Sequence, residues 1–190
     1  MPVQERRERE RAQRHRLIID TARRLAEAEG WDAVTTRRLA DEIEYSQPVL
    51  YSHFKGKDAI VEAVAIDGVS ELAAVLRKAR EGAADDSAAL ASVAHAYADF
   101  AEANPVVYDA IFARATKLPF GRPEAPEPLR LAFGELAAVF AAGREDGELR
   151  TEMAWSALHG LVTLNRDGRL RPGLQRERLD LLIAQLNAKP

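Results

Sequence analysis

The 190-residue chain contains no cysteine, which removes disulfides, thiolate nucleophiles and cysteine-ligated metal centres together and agrees with a reducing compartment. No stretch approaches the roughly 18 to 20 uninterrupted apolar residues that a bilayer crossing needs. The first residues, MPVQERRERERAQRHR, carry charges where a secretory signal would place an apolar core. A cytoplasmic protein with no membrane partner is the expectation. Aromatic residues make up only 6% of the chain, and β-branched residues alternate with polar ones only in fragments such as Ala33-Val34-Thr35-Thr36, so no sheet is predicted. Gly-x-Ser-x-Gly, P-loop and Gly-x-Gly-x-x-Gly patterns are missing, and His15, His53, His95 and His159 show no metal-ligand spacing. No catalytic residue, cofactor or metal site is expected.

What the chain has in abundance is Ala, Leu, Arg and Glu, the residues that lose least entropy on entering a helix. An all-α fold follows. The net charge is −3, but eight arginines stand against four acids between Met1 and Ala26, so this arm is positive and the remainder negative. A basic arm on an acidic body suits a nucleic-acid binder; a solvated helix start with i,i+4 pairs would look the same.

Leu17, Thr21, Ala22 and Leu25 mark one face of a first helix, about residues 8 to 29, stopped by Gly30. Thr35 and Thr36 supply a hydroxyl cap for a short second helix to Ile43, with Leu39, Ala40 and Ile43 inward. Ser46 can cap a third helix, Gln47 to Phe54, in whose first turn Pro48 is tolerated. A fourth helix with Ile60, Val61, Val64, Val69, Leu72, Val75 and Leu76 runs to about Gly82. Asp85-Asp86-Ser87 opens a fifth, which closes at Asn104-Pro105 because a residue before proline is pushed out of the α region. After a short segment from Val106 to Thr116, four of the nine prolines fall between Lys117 and Pro128, a loop. The pattern then predicts helices from Leu129 to Glu145, with Gly147 as the stop, from Thr151 to Asn165 and from Leu174 to Asn187.

Three short helices in about 54 residues, the second and third joined by a three-residue turn with small Ala40 on the inner face, have the dimensions of a helix-turn-helix DNA reader. Leu50 and Phe54 take the inward face of the third helix, which leaves Tyr51 pointing outward. These residues, Thr35-Thr36-Arg37-Arg38-Leu39-Ala40 followed by Ser46-Gln47-Pro48-Val49-Leu50-Tyr51-Ser52-His53-Phe54-Lys55-Gly56-Lys57, resemble the TetR family of bacterial transcriptional repressors over about residues 12 to 66. The segment Trp155-Ser156-Ala157-Leu158-His159-Gly160 also looks like one found in a subgroup of TetR-like C-terminal domains.

The resemblance implies a helix-turn-helix head at 1–56 and a helical ligand-binding and dimerisation bundle at 57–190. It implies that Thr36 meets a phosphate, that Arg37 reaches a base or a phosphate, and that Ser46 opens a recognition helix in the major groove of a double-stranded operator. Gln47 has the amide geometry to read adenine, and Pro48 and Val49 offer apolar surface to a thymine methyl. Tyr51, His53, Lys55 and Lys57 would grip the backbone. Glu44 departs from the family pattern, which has glycine after the second helix; a left-handed conformation there costs about 1 to 2 kcal/mol.

Beyond the head, aromatic residues at helical spacing are ordinarily core, yet the resemblance puts a small-molecule effector among them. His95, Tyr97, Phe100, Tyr108, Phe112, Phe133 and His159 are the expected lining. Trp155, Leu158 and Val162, with Leu179, Leu182, Ile183 and Leu186, form apolar stripes on the last two helices, expected to join two copies as a homodimer; the same stripes could instead complete one chain's core. The function expected is ligand-controlled repression. The alternative, a helical ligand-binding or protein-interaction module, has Glu44 and the acidic total in its favour.

Overall fold

The computed structural model describes residues 3–114, 118–122, 124–141 and 145–187. Among them the chain forms α1 (Val3–Glu29), a 3-10 turn (Trp31–Ala33), α2 (Thr36–Glu42), α3 (Gln47–His53), α4 (Lys57–Glu81), α5 (Asp86–Ala103), α6 (Pro105–Asp109) continued by a π turn (Ala110–Arg114), α7 (Glu127–Phe140), α8 (Gly147–Arg166) and α9 (Gln175–Asn187). The described residues contain no strand. They belong to two compact units, Met1–Gly68 with Pro105–Leu118, and Val69–Asn104 with Pro119–Pro190.

In the first unit α1 buries Ile18, Ile19, Ala22, Leu25 and Ala26, and each fully buried Leu or Ile side chain contributes about 1.5–3 kcal/mol. Thr21, Ala22 and Leu25 are buried as expected; Leu17, also expected inward, is exposed, and Ile18, Ile19 and Ala26 complete the buried face. Leu39, Ala40, Leu50 and Phe54 close the core from α2 and α3. The unit runs past residue 56 and takes in residues 105–118 for a local reason. Trp31 donates its indole N–H to the Val106 carbonyl at 3.1 Å, and Gly68 lies so close to α6 that a Cβ there would stand 2.2 Å from Val107 Cγ1.

The second unit packs α5, α7, α8 and α9 with the C-terminal part of α4. Leu76, Val93, Ala94, Tyr97, Ala154 and Leu158 are almost inaccessible. Asp85 caps α5 by accepting the Ala88 N–H at 2.9 Å, and the helix ends before Pro105. Glu135 is buried on α7 and accepts from Arg77 and Arg80 of α4, each at 2.8 Å. Burial alone would raise its pKa, but the two guanidiniums hold it below the usual carboxylate range.

Three boundaries differ from the sequence reading. The first helix begins at Val3 rather than near residue 8. α7 begins at Glu127, because Pro128 falls in its first turn, where the missing N–H has no intrahelical partner to forfeit. Gly147 starts α8 instead of stopping α7: a Cβ there would stand 2.6 Å from Ala141 Cβ, so glycine marks a close approach. Residues 115–117, 123 and 142–144 of the expected segments lie outside the described residues.

Candidate nucleic-acid interface

Helix α2 starts where Thr35 turns extended and accepts the Arg38 N–H on its hydroxyl at 3.2 Å. Arg38 forms a two-pronged pair with Glu29, and Arg24 meets Glu42 at 3.1 Å, so two ion pairs fix the angle between α1 and α2. Removing Glu29 would cost little, since solvent screens an exposed pair.

The turn to α3 has a defined hydrogen-bond pattern. The Tyr45 N–H donates to the Ala40 carbonyl at 3.0 Å and the Glu44 N–H to Asp41 at 3.3 Å, the double closure of a Schellman cap. That cap requires a left-handed residue, and Glu44 is it, with φ 57°. A glutamate here carries about 1 to 2 kcal/mol of backbone strain that glycine would not.

Helix α3 begins after Ser46, whose backbone carbonyl accepts from Val49 at 3.0 Å. Its hydroxyl makes no cap bond, contrary to the sequence reading; Pro48 in the first turn supplies the fixed φ that favours helix initiation instead. Leu50 is fully buried and Phe54 nearly so, which orients the opposite face outward. On that face Gln47 and Pro48 are exposed, Val49 is half-buried, and Tyr51 is 52% exposed. The Tyr51 hydroxyl lies 3.4 Å from Thr36 Oγ1, bringing the start of α2 and the middle of α3 together. Arg37 and Lys55 are exposed beside them. One surface thus carries hydroxyls and cations for phosphates, an amide and a guanidinium for base edges, and apolar surface for a methyl group.

Two predicted contacts sit differently from expectation. Lys57 is half-buried and donates its ammonium to the Trp31 carbonyl at 2.5 Å, which makes it a brace of the 3-10 turn rather than a free cation. His53 is half-buried, its ring 6.1 Å from His15, which itself stacks on Phe54 at 4.4 Å. Burial, then the charges of His15, Arg11 and Arg14, hold His53 below the usual histidine pKa, so it is mainly neutral at pH 7. The stack of His15 on Phe54 was not expected; the signal for it is the position of His15 three residues before Ile18 on the same helix face.

The residues expected to line an effector site do not come together as a set. Tyr97 is buried, its hydroxyl accepting the Trp155 indole N–H at 3.1 Å and lying 3.5 Å from His159 Nδ1. His159 continues to Thr163 at 3.5 Å, and burial, then Arg166, lowers its pKa. Phe100 is buried and Phe133 half-buried in the same unit. His95 turns elsewhere, to Asp180 of α9 at 3.0 Å. Tyr108 and Phe112, with rings 4.6 Å apart, belong to the first unit.

The expected dimer stripe also changes. Leu158, Val162, Leu179 and Ile183 are buried within a single chain, so they serve its own core and present no surface to a second copy. Trp155, Leu182 and Leu186 are half-buried. The outward apolar residues of these helices are Leu149, Met153 and Leu164 on α8 and Leu181 on α9.

Residues 18–64 match the bacterial regulatory proteins of the tetR family, and residues 90–186 match the tetracyclin repressor-like C-terminal domain. Rv0681, an uncharacterized helix-turn-helix-type transcriptional regulator of Mycobacterium tuberculosis, is 33% identical over 156 residues, 80% of this chain and 69% of the relative. The chain belongs to the TetR family. Its head is a TetR-type helix-turn-helix, and the protein is a DNA-binding transcriptional regulator. Among solved structures, the candidate regulatory protein SCO4313 is 26% identical with a TM-score of 0.71, covering 95% of this chain and 98% of its own. A protein of unknown function from Rhodococcus sp. RHA1, 23% identical over 90% of this chain and 92% of its own, shares the fold at a TM-score of 0.72. No helix among the described residues of this TetR-family chain is long and apolar enough to cross a membrane.

Proposed function

We propose that this regulator is a repressor that occupies a palindromic operator as a homodimer and leaves it when a small molecule binds its C-terminal unit. The observation that carries the DNA reading is the exposed face shared by α2 and α3, with Thr36 and Tyr51 adjacent and Arg37, Gln47 and Pro48 around them. Thr36, Tyr51 and Lys55 hold phosphates; Gln47, Pro48, Val49 and Arg37 meet base edges; Ser46 and His53 lie at the two ends of the recognition helix. Lys57 acts through the 3-10 turn that it braces.

The dimer contact is the outward face of α8 and α9. Leu149, Met153, Gly160 and Leu164 fall at helical spacing on α8, a Cβ at Gly160 would meet nothing within 4 Å among the described residues, and Leu181 adds apolar surface on α9. Two helices from each copy then form a four-helix contact, and its two-fold symmetry matches a palindromic site. The effector meets the Tyr97, Trp155 and His159 cluster, where convergent polar groups sit among aromatic rings. It can shift the DNA-competent population by no more than its differential affinity for the two states.

A mobility-shift titration on the DNA upstream of the protein's own gene, beside a pool of random duplexes, tests the reading. Binding that is specific for wild type and loses base preference in Gln47→Ala is expected. Unchanged base preference in Gln47→Ala would remove the base-reading assignment, and a sedimentation mass equal to one 21.0 kDa chain at micromolar concentration would remove the dimer.

A further inference from the structure

The helix-turn-helix face leaves the basic arm unused. In α1, Arg7, Arg11, Arg14, Ile18 and Leu25 are separated by four, three, four and seven residues, which places them on one face of the helix. At its C-terminal end this face is the buried one, with Ile18 and Leu25 in the core of the head. At its N-terminal end the apolar residues give way to guanidiniums. The helix is continuous, so the eleven steps from Arg7 to Ile18 carry that charged stripe about 16 Å.

The stripe ends beside α3. Arg7, Glu10, Arg11 and Arg14 line an open groove of about 350 Å³ together with Ser52 and His53, the last two residues of the recognition helix. Three arginines face one carboxylate there. Glu10 is shared at 3.5 Å with Arg14 and with Arg6, and Arg7 and Arg11 make no ion pair among the described residues. The charges of Arg11 and Arg14 reach His53, part of the cause of its lowered pKa. A DNA strand flanking a major groove that held α3 would carry its phosphates past Ser52 and His53, and so into this groove.

We propose that Arg7, Arg11 and Arg14 form a second phosphate clamp, which holds the operator backbone beside the C-terminal end of α3 and outside the base pairs that α3 reads. The clamp rests on the reading of α2 and α3 as the DNA face. It adds affinity and footprint length without sequence preference, because phosphates carry no base identity.

The test is a fluorescence-anisotropy titration of the full chain across a salt series, on an operator duplex and on a random duplex. R7A/R11A is compared with R6A/R9A, which removes the same charge outside the stripe, and with R7K/R11K, which keeps the charge. For R7A/R11A the slope of log affinity against log salt should fall by about 0.9 for each phosphate no longer neutralised, about 1.8 per protomer. Affinity should fall equally on both duplexes, while R6A/R9A and R7K/R11K should keep the wild-type slope. Equal slopes for R7A/R11A and R6A/R9A, with wild type binding and Tyr51→Ala binding about tenfold more weakly, would overturn the clamp alone. Absence of salt-sensitive binding by wild type would overturn the DNA face and the clamp together. A slope in R7K/R11K as shallow as in R7A/R11A would show the stripe to be structural and overturn the clamp.

Discussion

Tyr51 and Tyr97 show how differently the two compact units use the same side chain. Tyr51 stands 52% exposed on α3 with its hydroxyl beside Thr36, whereas Tyr97 is 1% exposed and its hydroxyl accepts from the Trp155 indole. In the first unit the apolar residues that close the core also fix which polar groups face out, so a few short helices define a binding surface. In the second unit the polar groups are folded inward among aromatic rings, where a neighbour or a ligand can satisfy them. A surface that meets a regular polymer keeps its residue types at fixed spacing; an interior packed against its own chain needs only complementary shape.

The largest expected effect separates core from surface in the second unit. Leu158→Ala should lower unfolding stability by about 3 kcal/mol, since a buried leucine is replaced by a cavity. Met153→Glu, on an outward face of the same helix, should change the stability of one chain by less than about 0.5 kcal/mol while halving the sedimentation mass. Chemical denaturation and sedimentation of both variants check this, and equal destabilisation would erase the distinction. The second prediction exchanges the tyrosines' roles. Tyr51→Ala should weaken binding to all duplexes about tenfold, or about 1.4 kcal/mol, and leave stability unchanged. Tyr97→Phe should leave duplex binding unchanged and cost about 1 kcal/mol of stability, because the Trp155 N–H is deprived of its acceptor.

Glu44→Gly should stabilise the head by about 1 kcal/mol, since glycine adopts the left-handed cap at no steric cost. Thermal unfolding of the variant measures it; a lower Tm would mean that the Glu44 side chain is worth more than its strain.

The smallest effect is a titration that moves stability and duplex binding in opposite directions. His53 and His159 are held below the usual histidine pKa in the folded chain, so the unfolded state takes up protons first as pH falls. Stability should therefore decline as pH falls from about 8 to about 5, and His159→Gln should lessen the decline. Over the same interval protonation of His53 adds a cation beside the DNA face, so duplex binding should tighten, and His53→Gln should remove that gain. Binding that weakens with falling pH would contradict the placement of His53.

The head was legible because its signals are local. Thr35, Ala40, Leu50 and Phe54 do what their spacing predicts, and the missing glycine at position 44 is paid for in backbone strain. Residues whose partners come from afar were not legible. Lys57 reads as a free cation until Trp31's carbonyl is beside it, and Gly147 reads as a helix stop until Ala141 is seen against it. Periodicity found the stripes of α8 and α9, but an apolar stripe does not say whether its cover is the same chain or another. The burial of Leu158, Val162, Leu179 and Ile183 within one chain assigns these four to the core. The aromatic residues of the middle third have helical spacing without addresses, so spacing alone does not separate Tyr108 and Phe112 from Tyr97, which belongs to the other unit.

The most direct test of the α2 and α3 face is an anisotropy titration of wild type and Tyr51→Ala against the DNA upstream of the protein's own gene at two salt concentrations. Tight wild-type binding that falls steeply with salt, resists competitor duplex and weakens about tenfold in Tyr51→Ala is the expected result. Binding that ignores salt, or that survives Tyr51→Ala undiminished, would contradict it.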